Sequence, residues 1–117
     1  MKSSGTEWST AEKKIARRAF DAALEKALVA AIADFKARAA AVSTPLEMWA
    51  IGDDLHRQRR EIDRMFDYRY SQLTWVFAEL IHKGFVGEAA LAGLAEPKRA
   101  GIHHMLSFLR RRDGAAE

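Results

Sequence analysis

Apolar residues return every three or four positions along most of the chain. From Phe20 the series runs Leu24, Leu28, Ile32, Phe35, Ala39 and Val42, with alanine filling much of the remainder, which is the period of one face of an α-helix built on the best helix former. Ser9 and Glu12 stand at the spacing of a capping box, in which each side chain satisfies a free backbone N–H of the first turn. A first helix is therefore expected over about 9–42. Thr44, Pro45 and Glu47 repeat the start signal, with Thr44 as N-cap, proline at the first helical position and Glu47 closing the box. The second stripe, Trp49, Leu55, Ile62, Phe66, Leu73, Phe77 and Leu80, meets no stop signal before Gly84, so one helix is expected over 45–83. "EAALAGL" reads as a brief helix and Pro97 to about Arg112 as a last one carrying Ile102, Met105, Leu106 and Leu109. These make a small helical head over 86–112, and 113–117 reads as a frayed tail. The fold class is all-α, a single domain over 1–117.

Length then constrains the architecture. A helix over 9–42 spans roughly 50 Å at about 1.5 Å per residue. A compact chain of 117 residues has a radius of gyration near 13 Å, hence a diameter of about 35 Å. Two long helices joined by a tight turn must lie antiparallel and form an elongated stalk, which leaves apolar or alanine-rich faces uncovered. A symmetric homodimer is the simplest cover.

Composition narrows the function classes. With 49% hydrophobic residues the chain can bury a core, and it has no cysteine, so disulfides and thiolate metal sites are excluded and a reducing cytoplasm is expected. "MKSSGTEWST" lacks the apolar run of a signal peptide, and no stretch reaches the roughly 18 apolar residues of a membrane span. The net charge of +3 does not by itself argue for nucleic acid. Lys98, Arg99, Arg110, Arg111 and Arg112 do form a basic end, against Glu96 and Asp113, but without aromatic interleaving for base stacking, so nucleic-acid binding is the weaker expectation.

Candidate chemistry is sparse. Glu79 and His82 have the Glu-x-x-His spacing of di-iron bundles, but the second copy and the facing glutamates are missing; His82 reads instead as a helix-end histidine near the C-terminal dipole. His103 and His104 are adjacent and point about 100° apart on a helix, which suits no shared metal. Asp53 and Asp54 are neighbours rather than a facing acid–base pair. With no nucleophile elbow, glycine-rich phosphate loop or HExxH motif, neither an enzyme nor a cofactor or metal site is expected.

The stretch "GDDLHRQRREID", residues 52–63, has only Leu55 and Ile62 as apolar positions. Residues 53–64 hold four acidic residues and four arginines, a balance no phosphate binder would carry. A solvated face laced by pairs such as Arg57 with Glu61 and Arg60 with Asp63 is one reading. The other is a docking surface in which Trp49 is bordered by Asp53 and Arg59, since an exposed tryptophan among charges is a common protein-interface anchor.

"LEMWAIGDDL", "RREIDRMFDYRYSQL", "WVFAELIHKGFV" and "LAGLAEPKRAGI", with the opening "EWSTAE", resemble the fluorescence recovery protein family from about Trp8 to Ile102. The resemblance implies an all-helical homodimer with a stalk and a small head. It also implies binding to the light-activated red form of the orange carotenoid protein, a faster return to the orange form, release from the phycobilisome and an end to photoprotective quenching, without a cofactor. The family's binding patch falls on Trp49, Asp53 and Arg59. Where the patch usually has His before the Asp, this chain has Gly52, which costs a helix about 1 kcal/mol relative to alanine. The basic C-terminal run extends beyond the usual family end. Both departures suggest a divergent relative from a bacterium lacking phycobilisomes, where a helical adaptor for an unrelated partner is the alternative role.

Overall fold

The computed structural model describes residues 7–115, and among them the regular structure is entirely helical: α1 (Thr10–Ala40), α2 (Pro45–Met65), α3 (Leu73–His82), a short 3-10 helix (Glu88–Leu91) and α4 (Glu96–Ala115). The start signals act as their chemistry dictates. Glu12 N–H donates to Ser9 Oγ at 3.1 Å while Ser9 N–H donates to the Glu12 carboxylate at 3.0 Å, a complete capping box. At α2 the box is shifted: Glu47 N–H donates to Thr44 Oγ1 at 3.2 Å, but the Glu47 carboxylate accepts from Ser43 N–H at 2.8 Å, one residue before the cap.

The single helix expected over 45–83 is two helices. At Phe66 the backbone turns to φ −93°, ψ 70°, and residues 66–72 leave the helix although no glycine or proline lies among them. Aromatic packing holds this detour. Phe20 of α1 meets Phe66 and Tyr68 edge-on, with ring centroids 5.4 and 4.8 Å apart. Trp8 packs on Tyr70 and donates Nε1–H to its carbonyl at 3.2 Å, and the Arg17 guanidinium lies 4.0 Å from the Tyr68 ring centroid. Such contacts outweigh the weak helical preference of a run rich in aromatics. After α3, Gly84 at φ +84° lets Phe85 N–H reach Leu80 O at 2.9 Å and Gly84 N–H reach Ile81 O at 3.0 Å, the Schellman closure that glycine permits.

The expected tail over 113–117 also needs correction. α4 runs through Ala115, because Leu109 is buried and Asp113 contacts His82 of α3 and Arg112; residues 116–117 lie outside the described residues.

The core gathers at one end. Ala16, Ala19, Phe20 and Ala23 of α1 pack with Leu73, Val76, Phe77 and Leu80 of α3, and with Leu91, Leu94, Ile102, Leu106 and Leu109. Small residues on α1 let the larger side chains of α3 and α4 approach its backbone. Beneath Trp8, the Lys98 ammonium donates to the Glu12 carboxylate at 3.2 Å, and that carboxylate also accepts Ala95 N–H at 2.8 Å at the start of α4. Lys98 is therefore buried and not part of a basic surface. Beyond Ala27, α1 contributes nothing to this core, and α2 contributes only Met65. The chain reverses at 41–44, so that Arg38 meets Asp54 near the turn and Phe20 meets Phe66 far from it, an antiparallel pair. The molecule extends 62 × 33 × 23 Å with a radius of gyration of 17.2 Å, well above the roughly 13 Å of a compact chain this long.

Candidate functional site

α2 projects along the part of the molecule that has no core of its own. Its surroundings depend on helical phase, each residue turning about 100° from the last. Leu55 and Ile62 turn toward α1 and border a mostly apolar groove of about 450 Å³ with Leu24, Leu28 and Ala31. Trp49 points elsewhere, with 65% of its surface exposed. Asp53, one turn on, shares that face and is exposed. Arg59 lies about 80° around the helix from Trp49 and borders the groove. The structure thus brings Trp49 and Asp53 together and places Arg59 at the edge of their face rather than within it.

The charge band separates into paired and unpaired members. Asp54 accepts from Arg38 of α1 and from Arg57 of its own helix. Arg64 donates to Glu61 at 2.6 Å and across to Glu79 of α3 at 2.6 Å. The expected Arg57–Glu61 pair does not form, since Asp54 lies equally within one turn and already faces α1. The Arg64 hydrogen bond holds the Glu61 carboxyl below its usual range, and Glu61 and Glu79 push the Arg64 pKa upward. Arg60 does not pair with Asp63. Among the described residues the side chains of Asp53, His56, Arg59, Arg60 and Asp63 make no ion pair or hydrogen bond. The sequence pattern offered Arg60 only as a partner of Asp63 and did not mark His56, although their i+11 and i+7 spacing from Trp49 puts both on its face.

The other candidates find local structural partners. Glu79 pairs with Arg64, and His82 contacts Asp113; the His82 side chain and Arg112 hold the Asp113 carboxyl below its usual value. Among the described residues no three His, Asp or Glu side chains converge in an arrangement able to hold a metal ion. His103 lies 2.7 Å from Glu88, while His104 is exposed. Of the basic end, Lys98 is buried, Arg99 donates to Leu94 O and Glu96 at 3.0 Å each, and Arg112 meets Asp113. Among the described residues, Arg110 and Arg111 are the two of the five whose side chains make no ion pair or hydrogen bond. On α2 an exposed indole stands amid unpaired charges of both signs, an arrangement suited to protein recognition.

Known proteins share this architecture. The family model described as "Photoprotection regulator fluorescence recovery protein" matches residues 8–106. The fluorescence recovery protein of Synechocystis sp. is 34% identical over 95 residues, covering 81% of this chain and 87% of that protein. Among solved structures, the fluorescence recovery protein of Fremyella diplosiphon superposes with a TM-score of 0.81 at 35% identity, over 85% of this chain and 97% of that one. The Synechocystis structure gives a TM-score of 0.81 at 32% identity, with the same coverage.

Proposed function

The chain belongs to the fluorescence recovery protein family, and from that premise we propose that it binds the light-activated red form of an orange carotenoid protein through α2 and speeds its return to the orange form, ending photoprotective quenching. The observation that carries this reading is Trp49, a large apolar side chain 65% exposed on a helix that has no core to bury it. Trp49 supplies the anchor, Asp53 orients the partner by charge-assisted hydrogen bonds, and Arg59 contacts it from the groove edge. The mechanism is differential binding. A surface that grips the transition state toward the closed form more tightly than the open form accelerates closure without being consumed.

We also infer a homodimer in the cytoplasm, with paired α1–α2 arms as the stalk and the core-bearing end as the head. Leu28, Val29, Ile32 and Phe35 form an exposed apolar face on α1, and an isologous contact with a second copy is the simplest way to cover it. No helix among the described residues is long and apolar enough to cross a membrane.

The test is dark recovery of photoactivated orange carotenoid protein followed by absorbance. The chain is expected to accelerate recovery, with Trp49→Ala, Asp53→Ala and Arg59→Ala each weakening the effect about tenfold or more. No acceleration by a correctly folded chain refutes the reading.

A further inference from the structure

A recess opens at the core-bearing end, where α3, the 3-10 helix and α4 meet. Ile81, near the end of α3, forms its floor with the buried Leu91 and Ile102. Ala89 and Ala92 line it from the 3-10 helix and the turn that follows, and side chains this small leave unfilled space between that segment and α4. The space is about 270 Å³. A dry apolar cavity of about 150 Å³ is enough to take up benzene, so this one suits an apolar body of roughly ten non-hydrogen atoms.

The rim is polar and keeps one cation partly uncommitted. Glu88 of the 3-10 helix and His103 of α4 meet at 2.7 Å, so each occupies the other. Arg99 lines the same recess one turn earlier on α4. Its Nε–H donates to Leu94 O at 3.0 Å, which fixes the guanidinium against the backbone, and its Nη2 donates to Glu96 at 3.0 Å. Among the described residues nothing accepts from Nη1. The Glu96 side chain is 79% exposed, and an exposed pair of this kind gives way to a competing anion at little cost. An anchored guanidinium above an apolar floor matches a molecule with an apolar body and one carboxylate, the planar group that guanidinium binds through two parallel hydrogen bonds. Glu88 beside it disfavours a more highly charged anion such as a phosphate.

We propose that this recess is a binding site for a small amphiphilic carboxylate, with the apolar body on Ile81, Leu91 and Ile102 and the carboxylate on Arg99. The site lies away from α2 and stands independently of the function proposed above. A bound ligand bridges the 3-10 segment and α4, and so stabilises the folded chain over the unfolded one.

Octanoate matches the size of the recess and is the probe, titrated into the isotope-labelled full chain and followed by NMR amide shifts. Saturable shifts are expected around Ile81, Ala89, Leu91 and Ile102, with a Kd on the order of 0.1–1 mM. At about ten times that concentration the thermal midpoint should rise by about 5 °C. Octanol and octylammonium carry a similar tail without the carboxylate and should bind at least fivefold more weakly. Arg99→Gln should weaken octanoate about fivefold to tenfold. Ala92→Leu fills the recess from its exposed rim and should abolish the shifts. The absence of saturable shifts at the recess up to about 10 mM octanoate overturns the proposal. Equal binding by octanol or octylammonium, or by Arg99→Gln, overturns it too, because the carboxylate would then have no role, as do shifts centred on the α1–α2 groove. The apolar C-terminal residue of a peptide presents the same chemistry, so N-acetyl-alanyl-leucine is titrated alongside. Tighter binding of that peptide than of octanoate overturns the assignment to a free small acid and gives the recess to a chain end.

Discussion

Glu12 collects three donors in one buried place: the backbone N–H groups of Ser9 and Ala95 and the ammonium of Lys98. Burial alone would push this carboxyl up, but the three donors more than reverse it, and its pKa lies below the ordinary value. A carboxyl depressed by folding stabilises the fold above its unfolded pKa, about 4.3, and loses that contribution as pH falls through the lower folded value. The stability difference between the unmodified chain and Glu12→Gln, from urea unfolding, should therefore be largest near neutral pH and shrink in acid below about pH 4. The two partners are also unequal. Glu12→Ala removes the counter-charge of a buried ammonium, leaving it the Glu7 carbonyl and the Trp8 ring, and also takes the acceptor from Ser9 and Ala95 N–H, and should cost about 3–5 kcal/mol, whereas Lys98→Met leaves the carboxylate with its backbone donors and should cost about 1–3 kcal/mol. A larger loss for Lys98→Met would contradict this reading. The pair spans 86 residues, which explains why the sequence pattern grouped Lys98 with the surface arginines: the spacing that marks Ser9 and Glu12 as a cap is local, and nothing local marks Lys98 as their partner.

Among the elements, the caps and stops were legible because their chemistry acts within one turn: Ser9 with Glu12, Pro45 after Thr44, Gly84 after α3. The break after Met65 was not. Residues 66–72 keep the apolar period of a helix, and what removes them from one is the packing of Phe66, Tyr68 and Tyr70 against Phe20 and Trp8 from the far end of the sequence. The same limit applied to the ion pairs, where Arg57 had two acidic neighbours in reach and the position of α1 selected Asp54. The detour carries one unsatisfied group: Tyr68 Oη is buried, and no hydrogen bond of sound geometry reaches it. Burial pushes this phenol up to about 12, with the nearby Tyr70 hydroxyl adding to the rise. Tyr68→Phe should therefore leave the thermal midpoint unchanged or raise it, since the ring contacts and the overlying Arg17 remain while an unpaired hydroxyl is removed. A drop of more than about 1 kcal/mol in stability would show that the hydroxyl is bonded after all.

At the scale of the whole molecule, the elongation was legible from helix length alone, and the 62 Å extent agrees with that argument. Which faces the fold would bury was not legible, because the apolar stripe of α1 runs its whole length and only its first half meets the core. The exposed second half makes a clean experiment possible. Val29 is 60% exposed, so Val29→Glu should leave helix content and the thermal unfolding of the core unchanged while converting a dimer to a monomer in light scattering. Persistence of the dimer would place its interface elsewhere. The gathering of the core at one end also bears on how the chain tolerates change over generations. Of α2, only Met65 belongs to the core, so replacements along its outer face disturb no buried packing and are felt by folding only through helix propensity. A lineage that exchanges its partner can therefore rewrite this arm while inheriting the scaffold intact.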